Sequence, residues 1–264
     1  MDSKIEKKDM VQTKLADLTF IMCAYNEIGR IEKAYEDLLV SLKNRTEQVE
    51  ILFFDNGSTD GTREWLKAIN HPDVQVFFNE TNLGKGGSVK RGIGFSRGNY
   101  IVIYDPDCEY RAEDVWKCYD HAKETEAAFV LGSRALNGDV KYHYYLNYLG
   151  VMFLTFLTNL LYGCKLTDTA SATKLFDGNF LRQIILENSG FDLDFELVTR
   201  VARLGGKISE VAINYYSRTV EEGKKIRPFQ DGFLALKTII RDRFVTRESI
   251  VAKEQIDQDK DHGI

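Results

Sequence analysis

Five short apolar runs, Leu18–Cys23, Val49–Phe54, Val74–Phe78, Tyr100–Tyr104 and Phe129–Leu131, alternate with helix-patterned stretches such as Ile31–Leu42, Arg63–Ile69 and Glu113–Lys123. That alternation predicts an α/β fold with a mostly parallel central sheet flanked by helices. After Arg134 the pattern changes to a long apolar helix, a short strand near Ala172–Phe176, helices around Phe180–Leu186 and Phe195–Leu204, and a strand at Lys207–Tyr216. The second half is expected to complete the sheet. One domain over residues 18–244 is predicted, between a polar N-terminal tail, 1–17, and a charged C-terminal tail, 245–264.

In open α/β sheets the carboxyl ends of the strands face one crevice, so side chains from different strands converge on a single ligand. Two runs here end in acid: Asp55 opens Asp55-Asn56-Gly57-Ser58-Thr59-Asp60-Gly61-Thr62, and Asp105-Pro106-Asp107 follows Tyr104. Asp105, Asp107 and Glu109 alternate and point the same way if the chain stays extended, with Pro106 marking the strand's end. Hard divalent cations take such oxygens and keep phosphate oxygens as further ligands, so the pattern points to an enzyme handling a nucleoside diphosphate. A solvated acidic turn is the bland alternative. Tyr25, Asn26 and Glu27 end the first run, where Gly29 is expected to turn the chain into a helix at Arg30. In the second loop Gly57 permits close backbone approach, and Ser58, Thr59 or Asp60 is expected to cap the next helix. Asn82-Leu83-Gly84-Lys85-Gly86-Gly87 precedes a helix and suits an anion or a nucleobase edge through its backbone N–H groups. No GxxxxGK[ST] occurs, which argues against a kinase- or ATPase-type phosphate cradle.

A net charge of −5 argues against nucleic-acid binding, which needs a basic face. Cys23, Cys108, Cys118 and Cys164 have neither zinc-ligand nor disulfide-framework spacing, and a reducing cytosol is the expected home. The charged stretch 1–17 lacks the apolar core of a signal peptide.

Tyr144–Tyr162 presents a wide apolar face, with Asn147, Thr155, Thr158 and Asn159 gathered on one narrow arc. It approaches the length of a membrane span, but its polar positions fit an interfacial helix, with Tyr142, Tyr144, Tyr145, Tyr148 and Tyr162 at headgroup level. A buried core or dimer helix is the alternative. Phe229–Phe244 sets Lys237, Arg241 and Arg243 beside Phe233, Leu234, Leu236, Ile239 and Ile240, a pattern for an anionic membrane or for the protein itself.

The motifs Tyr25-Asn26-Glu27, DNGSTDGT, Asn82–Gly87, Asp105-Pro106-Asp107 and Gly132-Ser133-Arg134, in this order and spacing, resemble the family 2 inverting glycosyltransferases of GT-A fold. The likeness spans Leu18 to Phe244. Thr167-Asp168 and the late Tyr215-x-x-Arg218 make it most similar to the dolichyl-phosphate mannosyltransferase-like and bacterial polyprenyl-phosphate enzymes. The resemblance implies that Tyr25, Asn26, Glu27, Asp55, Lys85 and Asp105 surround the nucleotide, and that Asp105, Asp107 and Glu109 hold Mg²⁺ or Mn²⁺ on the diphosphate. It further implies a UDP- or GDP-hexose donor and a polyprenyl phosphate acceptor at the inner face of the cell membrane, with Arg134, Arg218, Lys224 and Lys225 on the acceptor or diphosphate and the Lys224–Arg227 loop as a lid. The long helix would lie on the acceptor side. Departures are Cys23 where proline is frequent, Pro106 where alanine is common, and Lys141, His143 and Asn147 where the lipid-phosphate enzymes carry arginine and serine. Two alternatives stay open: a glycan hydroxyl acceptor, with Asp194 or Glu196 as the base, and a catalytically silent nucleotide-sugar-binding protein.

Overall fold

The computed structural model describes residues 15–138, 145–218 and 228–252. Seven strands, β1 (Leu18–Ala24), β2 (Val49–Asp55), β3 (Val74–Phe78), β4 (Tyr100–Ile103), β5 (Phe129–Ser133), β6 (Lys174–Asp177) and β7 (Ile208–Ala212), form one sheet in the order β3-β2-β1-β4-β6-β5-β7. The pairs β1–β2, β1–β4, β2–β3 and β5–β7 are parallel, whereas β6 runs antiparallel between β4 and β5. The helices are α1 (Ile28–Leu42), α2 (Thr62–Ala68), α3 (Gly84–Phe95), α4 (Ala112–Thr125), α5 (Tyr145–Tyr162), α6 (Gly178–Arg182), α7 (Leu193–Arg203) and α8 (Pro228–Phe244).

Both sheet faces are covered, which is why the central strands are apolar on successive residues rather than on alternate ones. Phe20, Met22, Phe53 and Val102 pack on one face with Ile31 and Leu38 of α1 and Trp116 and Tyr119 of α4. Ile21, Leu52, Phe54 and Ile103 pack on the other with Val89 and Ile93 of α3 and Leu197 and Val201 of α7. A third cluster, Leu154, Phe195, Ala235 and Ile239, joins α5, α7 and α8. This is the mostly parallel, helix-flanked sheet that the alternation predicts.

Several local expectations change. Helix α1 starts at Ile28 and contains Gly29; the turn is made three residues before that glycine by Asn26, which takes φ 52°. Side-chain amides tolerate that left-handed conformation better than most residues. The acidic stretch does not stay extended, because β4 stops at Ile103 and Cys108 takes φ 61°. Helix α6 is short, and the chain after it is irregular, its Ile185 N–H donating to the Ile250 carbonyl at 2.9 Å. Residues 245–252, assigned to the tail by composition, are therefore docked: Ile250 is buried and Val251 bridges to Ile184.

Helix α5 buries Leu154, Thr155 and Thr158 but exposes Leu149, Met152, Phe153, Phe156 and Leu160. It packs on α8, where Phe229, Phe233, Leu234, Ile240 and Phe244 are also exposed. Among the described residues no helix is long and apolar enough to cross a membrane.

Candidate active site

The loop after β1 and the loop after β2 brace each other. Asn26 N–H donates to Ser58 Oγ (3.0 Å), Thr59 N–H to Asn26 Oδ1 (2.8 Å) and Glu27 N–H to Thr62 Oγ1 (2.9 Å). Asp60 serves both helices, accepting from Ile28 N–H at 3.1 Å with one oxygen and from Thr62 N–H at 3.0 Å with the other. Burial would raise its carboxyl, but the Thr62 hydroxyl and these N–H donors hold it below the usual range. Asp55 is fully buried, accepting from Ser58 N–H at 3.1 Å and from Arg63 Nε at 2.7 Å. Both of its oxygens thus shape the loop. Tyr25 stands 39% exposed beside it.

The glycine-rich segment is shaped by a remote one. Gly84 takes φ +73°, and at Gly86 a side chain would meet the Ser189 backbone at 2.8 Å, where Gly86 N–H donates to the Ser189 carbonyl (2.8 Å). Glycine is needed because two backbones touch. This contact sets Lys85, whose Nζ donates to Asp105 Oδ2 at 2.8 Å and lies 3.7 Å from Asp194. Burial would lower the Lys85 ammonium, but Asp105 and Asp194 hold it above the usual lysine range.

Asp107 and Glu109 are gripped from the far end of the chain. Arg218 NH2 reaches Asp107 Oδ2 at 2.5 Å and its Nε reaches Glu109 Oε1 at 3.3 Å, with Glu27 3.8 Å from its other nitrogen. Tyr215 Oη donates to Glu109 Oε2 at 3.0 Å, so both named residues of Tyr215-x-x-Arg218 engage one carboxylate. Burial and the neighbouring Asp105 push the Asp107 carboxyl up to about 6, against the pull of Arg218. Four carboxylates, Asp105, Asp107, Glu109 and Glu27, face the two cations Lys85 and Arg218. Three oxygen ligands on a partly exposed turn with surplus negative charge fit a hard divalent cation. Among the described residues no three such ligands close into a metal cage, since Lys85 and Arg218 stand among them.

Asp105, Asp107, Glu109, Lys85, Glu27 and Arg218 are thus brought together, and Asp194 joins them through Lys85. Two expectations are corrected. Arg134 is buried in a two-pronged pair with Asp168 (2.6 and 2.7 Å) over the Tyr215 ring, so its charge is committed inside the protein. Glu196, on α7, is fully buried, bound by Arg200 at 2.7 Å and by the N–H groups of Glu187 and Asn188, and so takes no part as a base. Asp194 lies between Lys174 at 3.1 Å and Lys85 at 3.7 Å, and although burial would raise its carboxyl, these two ammonium groups hold it below the usual range. Lys224 and Lys225 lie outside the described residues.

Sequence reasoning missed Lys174, fully buried 3.1 Å from Asp194. The signal was present, a lysine inside the apolar run Ala172–Phe176, because a charge in a buried strand demands a partner.

A family model described as Glycosyl transferase family 2 matches residues 19–185. The dolichyl-phosphate beta-glucosyltransferase of Dictyostelium discoideum is 30% identical over 246 residues, 86% of this chain and 74% of that protein. The undecaprenyl-phosphate mannosyltransferase of Micrococcus luteus is 27% identical over 217 residues, 77% of this chain and 85% of that one. Among solved structures, glucosyl-3-phosphoglycerate synthase from Mycobacterium tuberculosis in complex with uridine-diphosphate superposes with a TM-score of 0.67 at 18% identity, covering 88% of this chain and 81% of that one. The same enzyme with Mn²⁺, uridine-diphosphate and glucosyl-3-phosphoglycerate gives 0.65 at 16% identity over the same shares. At these identities the structural likeness shows the GT-A fold.

Proposed function

This chain belongs to glycosyl transferase family 2 and is a glycosyltransferase, and from that premise we propose that it moves a hexose from a nucleotide sugar to a polyprenyl phosphate. The observation that carries the acceptor is the pairing of Asp194. A hydroxyl acceptor must lose a proton in the transition state, and Asp194, the carboxylate nearest that role, has its two oxygens engaged by Lys174 at 3.1 Å and Lys85 at 3.7 Å. A phosphate acceptor is already an anion and needs no base. Two relatives bear names that specify dolichyl-phosphate and undecaprenyl-phosphate, which supports the same class.

On this reading Tyr25, Asn26 and Glu27 border the nucleotide, with Asp55 keeping their loop in shape through Ser58 and Arg63. Asp105, Asp107 and Glu109 would hold a divalent cation, as Mn²⁺ or Mg²⁺ accompanies uridine-diphosphate in the structural neighbours. When bound, such a cation acts as a Lewis acid that stabilises the leaving diphosphate. Lys85 orients Asp105, and Arg218 supplies positive charge beside Asp107 for a diphosphate or acceptor phosphate. Arg134 acts one step back: with Asp168 it supports the Tyr215 ring, whose hydroxyl fixes Glu109. The exposed apolar faces of α5 and α8 would meet the membrane that holds the lipid acceptor, with contact at its cytoplasmic face.

The test incubates the protein with radiolabelled nucleotide sugars, Mg²⁺ or Mn²⁺ and a short polyprenyl phosphate, and counts label in the organic phase. Metal-dependent lipid label is expected. Release of nucleoside diphosphate without lipid label would overturn the phosphate acceptor in favour of a hydroxyl, and no release with any donor would overturn the donor reading.

A further inference from the structure

Lys174 pairs with Asp194, and its place in the sheet is unusual. It opens β6, paired in register with Ile103, two residues before Asp105. An antiparallel strand inserted among parallel ones presents its first residue, rather than its last, at the crevice where the neighbouring strands end. Lys174 is fully buried, donates to the Ser171 carbonyl and pairs with Asp194 Oδ1 at 3.1 Å.

Four side chains therefore form an alternating row: Asp105, Lys85, Asp194, Lys174. Within it two carboxylates compete for one ammonium. Lys85 lies 2.8 Å from Asp105 and 3.7 Å from Asp194, an imbalance that needs a cause, since both acids are partly buried and attraction rises as separation falls. Lys174 supplies the cause by sharing the charge of Asp194 from beneath. Asp194 retains a small exposed edge while Lys174 has none, so the lysine acts through the aspartate rather than on a ligand.

We propose that Lys174 is a positioning residue: by neutralising Asp194 it leaves Lys85 committed to Asp105 at the end of β4, the strand end that receives the nucleotide sugar. The inference rests on the donor-site reading above. Burial holds the Lys174 ammonium below its usual range in spite of Asp194, so its charge depends on that pair; Asp168 and Lys85 are the other charged groups that act on it.

Lys174→Met keeps the length of the side chain and removes its charge. Asp194, relieved of its partner, then draws Lys85 away from Asp105. A shift of about 1 Å at a positioned group costs up to about 10²-fold in kcat/KM, and binding of UDP-glucose or GDP-mannose with Mg²⁺, measured by calorimetry, is expected to weaken about tenfold. Adding Asp194→Asn removes the competitor. The double variant is expected to bind donor within about threefold of Asp194→Asn alone, a coupling of the size that contacting residues show. Losses that simply multiply, with the double variant about tenfold weaker than Asp194→Asn, would overturn the proposal. Should Lys174→Met alone fail to fold, which thermal unfolding run in parallel reveals, the comparison of the double variant with Asp194→Asn still separates these two outcomes. Wild-type protein that binds neither donor would overturn the donor reading itself, and with it the proposal, before any variant is compared.

Discussion

Two of the carboxylate clusters closed by arginine among the described residues differ in almost everything but charge. Beneath α7 and α8, Glu196 and Asp242 surround Arg200 at 2.7 and 3.5 Å, and all three side chains are 0% exposed. After β4, Asp107 and Glu109 meet Arg218 at 2.5 and 3.3 Å, with Asp107 and Arg218 15% and 14% exposed. Glu196 also takes two backbone N–H groups, and Asp242 takes the Thr199 hydroxyl at 2.7 Å. Arg200 rides on a helix, whereas Arg218 comes from irregular chain beyond β7. A cluster whose oxygens are filled by helices and backbone is part of the scaffold. One that takes its cation from irregular chain, at the open end of a strand, is held by a single arginine side chain and stays partly exposed.

The largest expected effect tests the scaffold cluster. Arg200→Met leaves buried Glu196 and Asp242 to the partly exposed Arg241, at 3.2 and 2.8 Å, and should cost about 3 kcal/mol of stability by denaturant unfolding. A loss below about 1 kcal/mol would break the contrast. Next, Asp107→Asn should lower kcat by about 10²–10³-fold while thermal unfolding moves little, because one partly exposed carboxylate of a repelling set is removed. Unchanged turnover at saturating Mg²⁺ or Mn²⁺ would sink the site assignment.

A smaller effect concerns the apolar faces. Phe156→Ser with Phe233→Ser removes two exposed rings, one from each helix, and should weaken binding to anionic lipid vesicles by roughly 2 kcal/mol. Equal sedimentation of variant and wild type with vesicles would assign these faces to some other partner. The smallest is a pH slope. Burial would raise the Asp168 carboxyl, but Arg134 holds it below the ordinary 3.8, so this pair stabilises the fold above that value and the stabilisation is lost as pH falls through the lower folded value. Unfolding free energies of wild type and Asp168→Asn should converge below about pH 3.8, by at most about 1.4 kcal/mol per pH unit. A gap that stays constant there would mean that Asp168 acts by shape alone.

Much of the fold was legible because its signals are local. The apolar runs that became β1 to β5 and the acids at the ends of β2 and β4 each lie within a few residues of their cause. What escaped is what distant partners decide. Arg134 read as a free cation because Asp168 lies 34 residues away, and Glu196 read as a base because Asp242 and Arg241 arrive from α8. Lys174 was missed because its place at the crevice comes from β6 running against its neighbours. The turn at Asn26 shows the same limit at short range, for the nearby Gly29 is the stronger signal on composition, yet the bonds to Ser58 and Thr59 select the asparagine.

The insertion of β6 also governs how the chain assembles. Strands β4 and β5 follow each other in sequence but never touch; the gap between them is filled by a strand whose last residue, Asp177, pairs with Tyr100. During synthesis the first four strands can associate as soon as they emerge, yet β4 keeps a bare hydrogen-bonding edge until some seventy further residues have followed. That interval includes the oily helix α5, so the nascent protein exposes an unpaired edge and a sticky surface together until residues 174–177 close the slot.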